Sequence, residues 1–223
     1  MNTSTPFRYR IEYSKSHWMR FTGHLDLLRT WERTFRRAQF PLAFTQGFNP
    51  RPRINLGLAL PLGFTSDCEL MDFWLIEEKE TSSLLLSIRE VLPPGLTIHN
   101  ISRIDQHKPT LQKQINAVMY SVLLDPSPPV KQLQGRIDTL LASPEILRER
   151  RGKTYDLRPL IRSLDLTQGD GKIVINMCLT AQEGRTGRPE EILLQLNLDP
   201  SSAQIHRKQL FLTDPTEGNA KAP

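Results

Sequence analysis

Apolar and polar residues alternate strictly near the start of the chain. Phe7, Tyr9, Ile11 and Tyr13 fall on one face of a predicted strand, and Arg8, Arg10 and Glu12 fall on the other. The period then lengthens. Over residues 23–38, Leu25, Leu28, Trp31 and Phe35 recur at three- and four-residue intervals, which predicts a helix with Thr22 as N-cap and Pro41 beyond its end. Gly47, Pro50 and Pro52 break both periods, so residues 45–52 read as a loop. Strands are expected over residues 53–60 and 68–76. A second helix over 82–92 is ended by Pro93, Pro94 and Gly95, and a strand follows over 96–104. The order β-α-β-β-α-β is that of a ferredoxin-like α+β unit, one antiparallel sheet with its helices on one face.

A polar stretch at residues 105–114 separates this series from a second one. It comprises a strand over 115–124, a turn at 125–129, a helix over 131–141, a short element at 157–164, a strand over 172–180 and a helix over 189–196. Pro189, with Glu190 and Glu191 in the first turn, suits the start of that last helix. The expected organisation is therefore a ferredoxin-like basic domain at 1–108 and a second, smaller α+β subdomain at 109–213, a candidate partial repeat. The small and polar stretch 214–223 reads as a disordered tail.

Composition narrows the class. Of 223 residues, 38% are hydrophobic and 24% charged, and no apolar run approaches the roughly 18 residues of a membrane span. Met1 to Arg10 carries no apolar segment of a secretory signal, so a cytoplasmic location without membrane partners is expected. Cys68 and Cys178 stand alone, too few and too far apart for a zinc or iron–sulfur site, and each reads as a small buried hydrophobe. The net charge of +5 is unevenly spread. Residues 8–53 hold ten Lys/Arg against three carboxylates, whereas residues 54–110 hold four against eight.

The basic half carries three constellations. On the first helix Arg29, Arg33, Arg36 and Arg37 fall within about a third of the circumference, as a solvated face or as a set of guanidinium forks for phosphates. Ahead of them runs Arg20-Phe21-Thr22-Gly23-His24-Leu25-Asp26. His24 and Asp26 are too few for a metal and diverge at i, i+2, so they read as a polar network at the helix start. Third is the segment Phe44 to Arg53, whose Phe48, Asn49 and Arg51 on a proline-stiffened loop suit stacking a base and holding a phosphate, or else packing. In the second half Arg148, Arg150, Arg151 and Lys153 form a basic run that reads as a solvated loop. Gly184-Arg185-Thr186-Gly187 matches three positions of the Gly-Arg-Thr-Asp tetrad of tRNA pseudouridine synthases, with glycine in place of the catalytic aspartate. No P-loop, Gly-x-Gly-x-x-Gly, Gly-x-Ser-x-Gly or His-Glu-x-x-His motif is present.

One set of ordered matches extends over about 60 residues. It includes Tyr13-Ser14-Lys15, the run from Arg20 to Arg29, Arg36-Arg37-Ala38 with Pro41-Leu42, Gly47-Phe48-Asn49-Pro50-Arg51-Pro52, and Leu60-Pro61-Leu62-Gly63 with Ser66, Glu69 and Asp72. In these residues the chain resembles the radical-SAM-linked proteins, a bacterial domain of unknown function. Asp156-Leu157-Arg158-Pro159 and Gly187-Arg188-Pro189-Glu190 are similar more loosely. The resemblance implies a protein encoded beside, or fused to, a radical SAM enzyme with a cobalamin-binding domain. Iron–sulfur cluster, SAM and cobalamin would then reside in that partner and not in this chain. Where the family loop usually reads Gly-Phe-x-Pro-His-Pro, this chain has Arg51 at the histidine position, which favours anion binding over metal or acid–base chemistry.

Three functions fit these residues. The first is a non-catalytic accessory module presenting ribosomal or transfer RNA, or another anionic substrate, to the radical SAM partner, with Arg20, Arg29, Arg33, Arg36, Arg37, Phe48, Asn49 and Arg51 as contacts. The second is an RNA-modifying enzyme distantly like pseudouridine synthases, with Asp26 or Asp72 as its carboxylate. The third is a protein–protein adaptor with a basic docking face.

Overall fold

The period-two alternation at the start of the chain becomes β1 (Phe7–Lys15), with Tyr9, Ile11 and Tyr13 fully buried. In the computed structural model, which describes residues 5–125, 128–169 and 172–213, the chain divides into two compact units. The first takes in the described residues through Gln114 together with Thr213, and the second is Ile115–Leu212. The predicted tail 214–223 lies outside the described residues, as does part of the turn predicted at 125–129.

In the first unit β1 is followed by α1 (His24–Arg37), β2 (Ile54–Leu56), β3 (Thr65–Leu75), α2 (Thr81–Arg89), β4 (Leu96–Arg103) and a single turn, α3 (Leu111–Gln114). β1 pairs antiparallel with both β3 and β4, and β2 pairs antiparallel with β3. The resulting order, β4-β1-β3-β2, is that of the ferredoxin-like sheet. Leu27, Trp31 and Phe35 of α1, with Leu84 and Ile88 of α2, join Tyr9, Ile11, Met71 and Phe73 in one core, so both helices cover the same face. Phe35 and Phe73 lie 4.9 Å apart, and Trp31 meets Tyr13 edge-on at 4.9 Å.

Several sequence expectations shift. The N-cap of α1 is Gly23 rather than Thr22, and it offers no side-chain cap. Leu25 is 67% exposed and does not belong to the core stripe. At 100° per residue it lies about 40° from Arg29, whereas the buried stripe is Leu27, Trp31, Thr34 and Phe35. The strand expected over 53–60 shortens to Ile54–Leu56. Arg8 and Arg10, assigned to a polar face, are buried: Asp72, itself fully buried, accepts from Arg8 Nε (3.0 Å) and Nη2 (2.5 Å) and from Arg10 Nε (2.7 Å) and Nη2 (3.1 Å). Arg8 also donates to the carbonyls of Lys108 and Pro109, and Arg10 to Gln114 Oε1. The polar stretch after β4 therefore completes a buried ionic layer on the sheet face opposite the helices.

The second unit runs β5 (Ile115–Leu124), α4 (Val130–Ala142), β6 (Leu147–Arg150), β7 (Lys153–Asp156), β8 (Ile161–Gly169), β9 (Lys172–Gln182), β10 (Arg185–Thr186), α5 (Pro189–Gln195) and β11 (Ala203–Leu212). β11 pairs with β5, β5 with β9 and β9 with β8, all antiparallel. Setting aside the β6–β7 hairpin and the two-residue β10, this repeats the element order and the strand order of the first unit. The basic run at 148–153, read as a loop, is that hairpin. The short element at 157–164 is a 3₁₀ turn, Arg158–Leu160, leading into β8, and β11 had no counterpart in the sequence reading. No helix among the described residues is long and apolar enough to cross a membrane.

Gly184 to Gly187 comprises the second residue of the β9–β10 turn, the strand β10 and the residue after it, and stands ahead of α5 without being part of it. A Cβ on Gly187 would lie 3.0 Å from the Leu160 carbonyl oxygen and 3.1 Å from Leu179 Cβ. Packing thus requires glycine where the pseudouridine synthase tetrad has its aspartate. Gly187→Ala is expected to cost about 1–3 kcal/mol, read as a lower urea midpoint at unchanged slope.

Candidate nucleic-acid interface

Burial sorts the ten cations of residues 8–53 into two groups. Arg8, Arg10 and Lys15 are buried, the last donating to the Thr22 carbonyl at 3.1 Å, and Arg53 lies over the Trp74 ring at 4.7 Å. Arg20, Arg29, Arg33, Arg36, Arg37 and Arg51 are all exposed. Within residues 8–53 the outward basic field is therefore these six guanidinium groups.

α1 and the loop after it bring most of them together. The chain leaves α1 through Gln39, which has φ 56°, with Phe40 N–H bonding back to the Phe35 carbonyl. It then runs beside β3, where Ala43 N–H donates to the Trp74 carbonyl and Trp74 N–H to that of Arg53. Thr45 and Arg51 close the loop neck: Thr45 N–H donates to the Arg51 carbonyl (2.8 Å), and Arg51 N–H donates to Thr45 Oγ1 (3.0 Å). Two open clefts lie between this loop and α1. One, of about 650 Å³, is lined by Arg29, Arg33 and Arg36 opposite Phe44 and Pro52. The other, of about 580 Å³, is lined by Leu25, Arg29, Pro50 and Arg51. Arg29, Glu32 and Pro52 border both clefts.

Phe44 is 53% exposed and Phe48 wholly so, which leaves both rings able to stack on a planar ligand. Phe48 and the exposed Asn49 stand at the loop tip and line neither cleft. Arg37 and Arg20 also lie outside the linings, and the Arg20 guanidinium sits over the exposed Phe21 ring at 4.8 Å. His24 and Asp26 are both exposed, and the Asp26 carboxylate is 3.4 Å from Arg29 Nη1, a solvated pair of small energetic weight. Sequence reasoning passed over Leu25, Glu32 and Phe40 as cleft walls. Leu25 was legible from its helical phase, but the approach of the loop to α1 had no local signal.

Among the described residues no three His, Cys, Asp or Glu side chains gather as metal ligands. Asp72 is sealed between two arginines, and burial pushes the Cys178 thiol up, against thiolate formation.

Residues 8–189 match a family described as an uncharacterized protein conserved in bacteria, DUF2344. No curated protein matches the chain. Among solved structures the chain is similar to one in a Cbf5-Nop10-Gar1 complex, at 10% identity and a TM-score of 0.50, covering 93% of this chain and 51% of that one. It is also similar to one in the archaeal box H/ACA sRNP Nop10-Cbf5 complex, at 9% identity and a TM-score of 0.45, covering 91% and 48%. A protein from Galdieria sulphuraria gives 10% identity and a TM-score of 0.28 over 94% of this chain and 99% of that one. The chain spans about half the length of the first two, and at these identities the first likeness establishes a shared α+β fold alone.

Proposed function

We propose, for a chain that belongs to the DUF2344 family of uncharacterized bacterial proteins, a binding module that holds RNA on the arginine face of α1 and presents it to a second protein. The observation that carries the reading is the sorting of cations. Four of the six exposed arginines, Arg29, Arg33, Arg36 and Arg51, line two clefts faced by a proline-stiffened loop with bare phenylalanine rings, while the other basic residues of 8–53, Arg8, Arg10, Lys15 and Arg53, are buried or stacked. Guanidinium forks take phosphates and aromatic faces take bases, a combination suited to single-stranded segments of ribosomal or transfer RNA. The partner, inferred from the sequence resemblance, is a cytoplasmic radical SAM enzyme with a cobalamin-binding domain, which would carry the cluster, SAM and cobalamin.

The test is retention of bulk cellular RNA by the purified protein at two salt concentrations, with Arg36→Glu/Arg37→Glu as the paired variant. Tight, salt-sensitive retention that the variant loses is the expected result. Unchanged affinity and an unchanged salt slope would sink the proposal.

A second reading, a protein adaptor that docks through apolar side chains and not through the basic face, is favoured by one observation. Trp18 (77%), Phe21 (70%) and Leu62 (63%) are large apolar side chains left exposed near the start of α1. In that case RNA is not retained, and co-purification with the radical SAM protein survives the arginine reversals but not Trp18→Ser.

A further inference from the structure

The two motifs of the second half that the proposed function leaves unused come together in space. The β6–β7 hairpin and the β9–β10 turn border a cleft of about 640 Å³, into which Arg150, Arg151, Lys153, Arg185 and Arg188 contribute five cations. Among the described residues one carboxylate lines it, that of Asp156, whose Oδ1 accepts from the backbone N–H groups of Ile146 (2.8 Å) and Arg158 (2.9 Å). Glu191 is likewise taken up, bonded to Arg148 Nε at 2.9 Å. The described side chains that line the cleft therefore set five positive charges against one negative, an excess that favours an anion there.

Two further features point to a ligand. Arg151 and Gly152 form the two-residue β6–β7 turn with φ of 51° and 72°, the left-handed pair of a type I′ turn. Glycine and asparagine suit the first of these positions, so placing arginine there accepts backbone strain to set a guanidinium at the cleft rim. Tyr155 lines the same cleft, and its hydroxyl is buried without a hydrogen-bond partner among the described residues. Burial raises its ionisation above the ordinary tyrosine value, with Glu191 adding to the rise against Arg188, Arg148 and Arg150, so the group remains a neutral O–H donor at physiological pH.

We infer that this cleft is a second anion site, separate from the arginine face of α1, and that it takes a phosphoryl group carried on a nucleotide-sized ligand. Five cations and one hydroxyl donor suit phosphate oxygens, while Pro159 and Leu160 provide an apolar wall for the remainder of the ligand. The phosphoryl group belongs either to a free nucleoside diphosphate or to a nucleotide of an RNA strand.

The experiment measures ADP binding to the full chain by calorimetry, with adenosine as the uncharged control and a short single-stranded oligoribonucleotide as competitor. ADP is expected to bind, adenosine is not, and Lys153→Glu/Arg185→Glu should weaken ADP by tenfold or more. Both substituted side chains are exposed, and Arg185→Gln gives a milder loss should the double reversal fail to fold. Displacement of ADP by the oligoribonucleotide assigns the phosphate to an RNA strand; ADP binding without displacement assigns it to a free nucleotide. If neither ADP nor the oligoribonucleotide responds to substitution at Lys153 or Arg185, the inference is overturned. The Arg36/Arg37 variant tests the α1 face separately, so failure of one site leaves the other standing.

Discussion

Asp72→Asn is expected to destabilise the protein by about 3–5 kcal/mol, the usual cost of leaving a buried ion pair without one partner. The side chain is nearly isosteric, so the loss isolates charge. Asp72 sits at 0% exposure and, among the described residues, is the one carboxylate bonded to both Arg8 (3% exposed) and Arg10 (6%). With asparagine in its place, the two guanidinium groups retain neutral acceptors only, the carbonyls of Lys108 and Pro109 and the Gln114 amide. Urea unfolding should show the loss as a lower midpoint, and thermal unfolding as a drop of roughly 6–20 °C at about 2–4 °C per kcal/mol for a chain of this size. Replacing all three residues with apolar ones, Arg8→Met/Arg10→Met/Asp72→Leu, should cost much less, because no desolvated charge is then stranded. A D72N variant as stable as the parent would mean that the guanidinium groups are hydrated and that the layer is not a structural element.

The second large effect concerns RNA affinity and separates charge from stacking. If Arg29, Arg33, Arg36 and Arg51 each neutralise one phosphate of a single strand, log K falls with log salt at a slope of about −3, or roughly 0.7 per contact. Raising salt from about 50 to 200 mM should then weaken binding by about 50-fold. Arg33→Ala/Arg36→Ala should reduce that slope by roughly 1.4. Phe48→Ala should behave differently, costing about 1–3 kcal/mol at every salt concentration and leaving the slope unchanged, since a ring that stacks on a base releases no counterion. Filter binding of a labelled single strand at four salt concentrations reads both quantities. A Phe48→Ala variant with full affinity would remove the loop tip from the interface and confine binding to the arginines.

The local periods in the sequence determine most of the elements. The alternation of Phe7 to Tyr13 specifies β1, and the helical spacing of Trp31 and Phe35 specifies α1. The breakers Pro93, Pro94 and Gly95 separate α2 from β4. The exposed arginine row was legible for the same reason, because helical phase is a property of one segment. Leu25 shows the limit of an approximate phase: spacing to Leu28 placed it with the core, while the exact angle sets it beside Arg29.

The tertiary structure decided what depends on residues distant in sequence. The same alternation that put Arg8 and Arg10 on a polar face could not show that Asp72, 62 and more residues away, crosses to meet both, turning an apparent surface into a buried layer. Whether the basic run at 148–153 was a solvated loop or the wall of a cleft likewise depended on the β9–β10 turn, whose Arg185 approaches it only after β9 has joined the sheet. The sequence by itself determined which segments are helix and strand and which carry charge, because those follow from local period and composition. Only the folded chain determined which charges remain in water and which face one another, because burial and pairing arise from contacts between segments that no local pattern encodes.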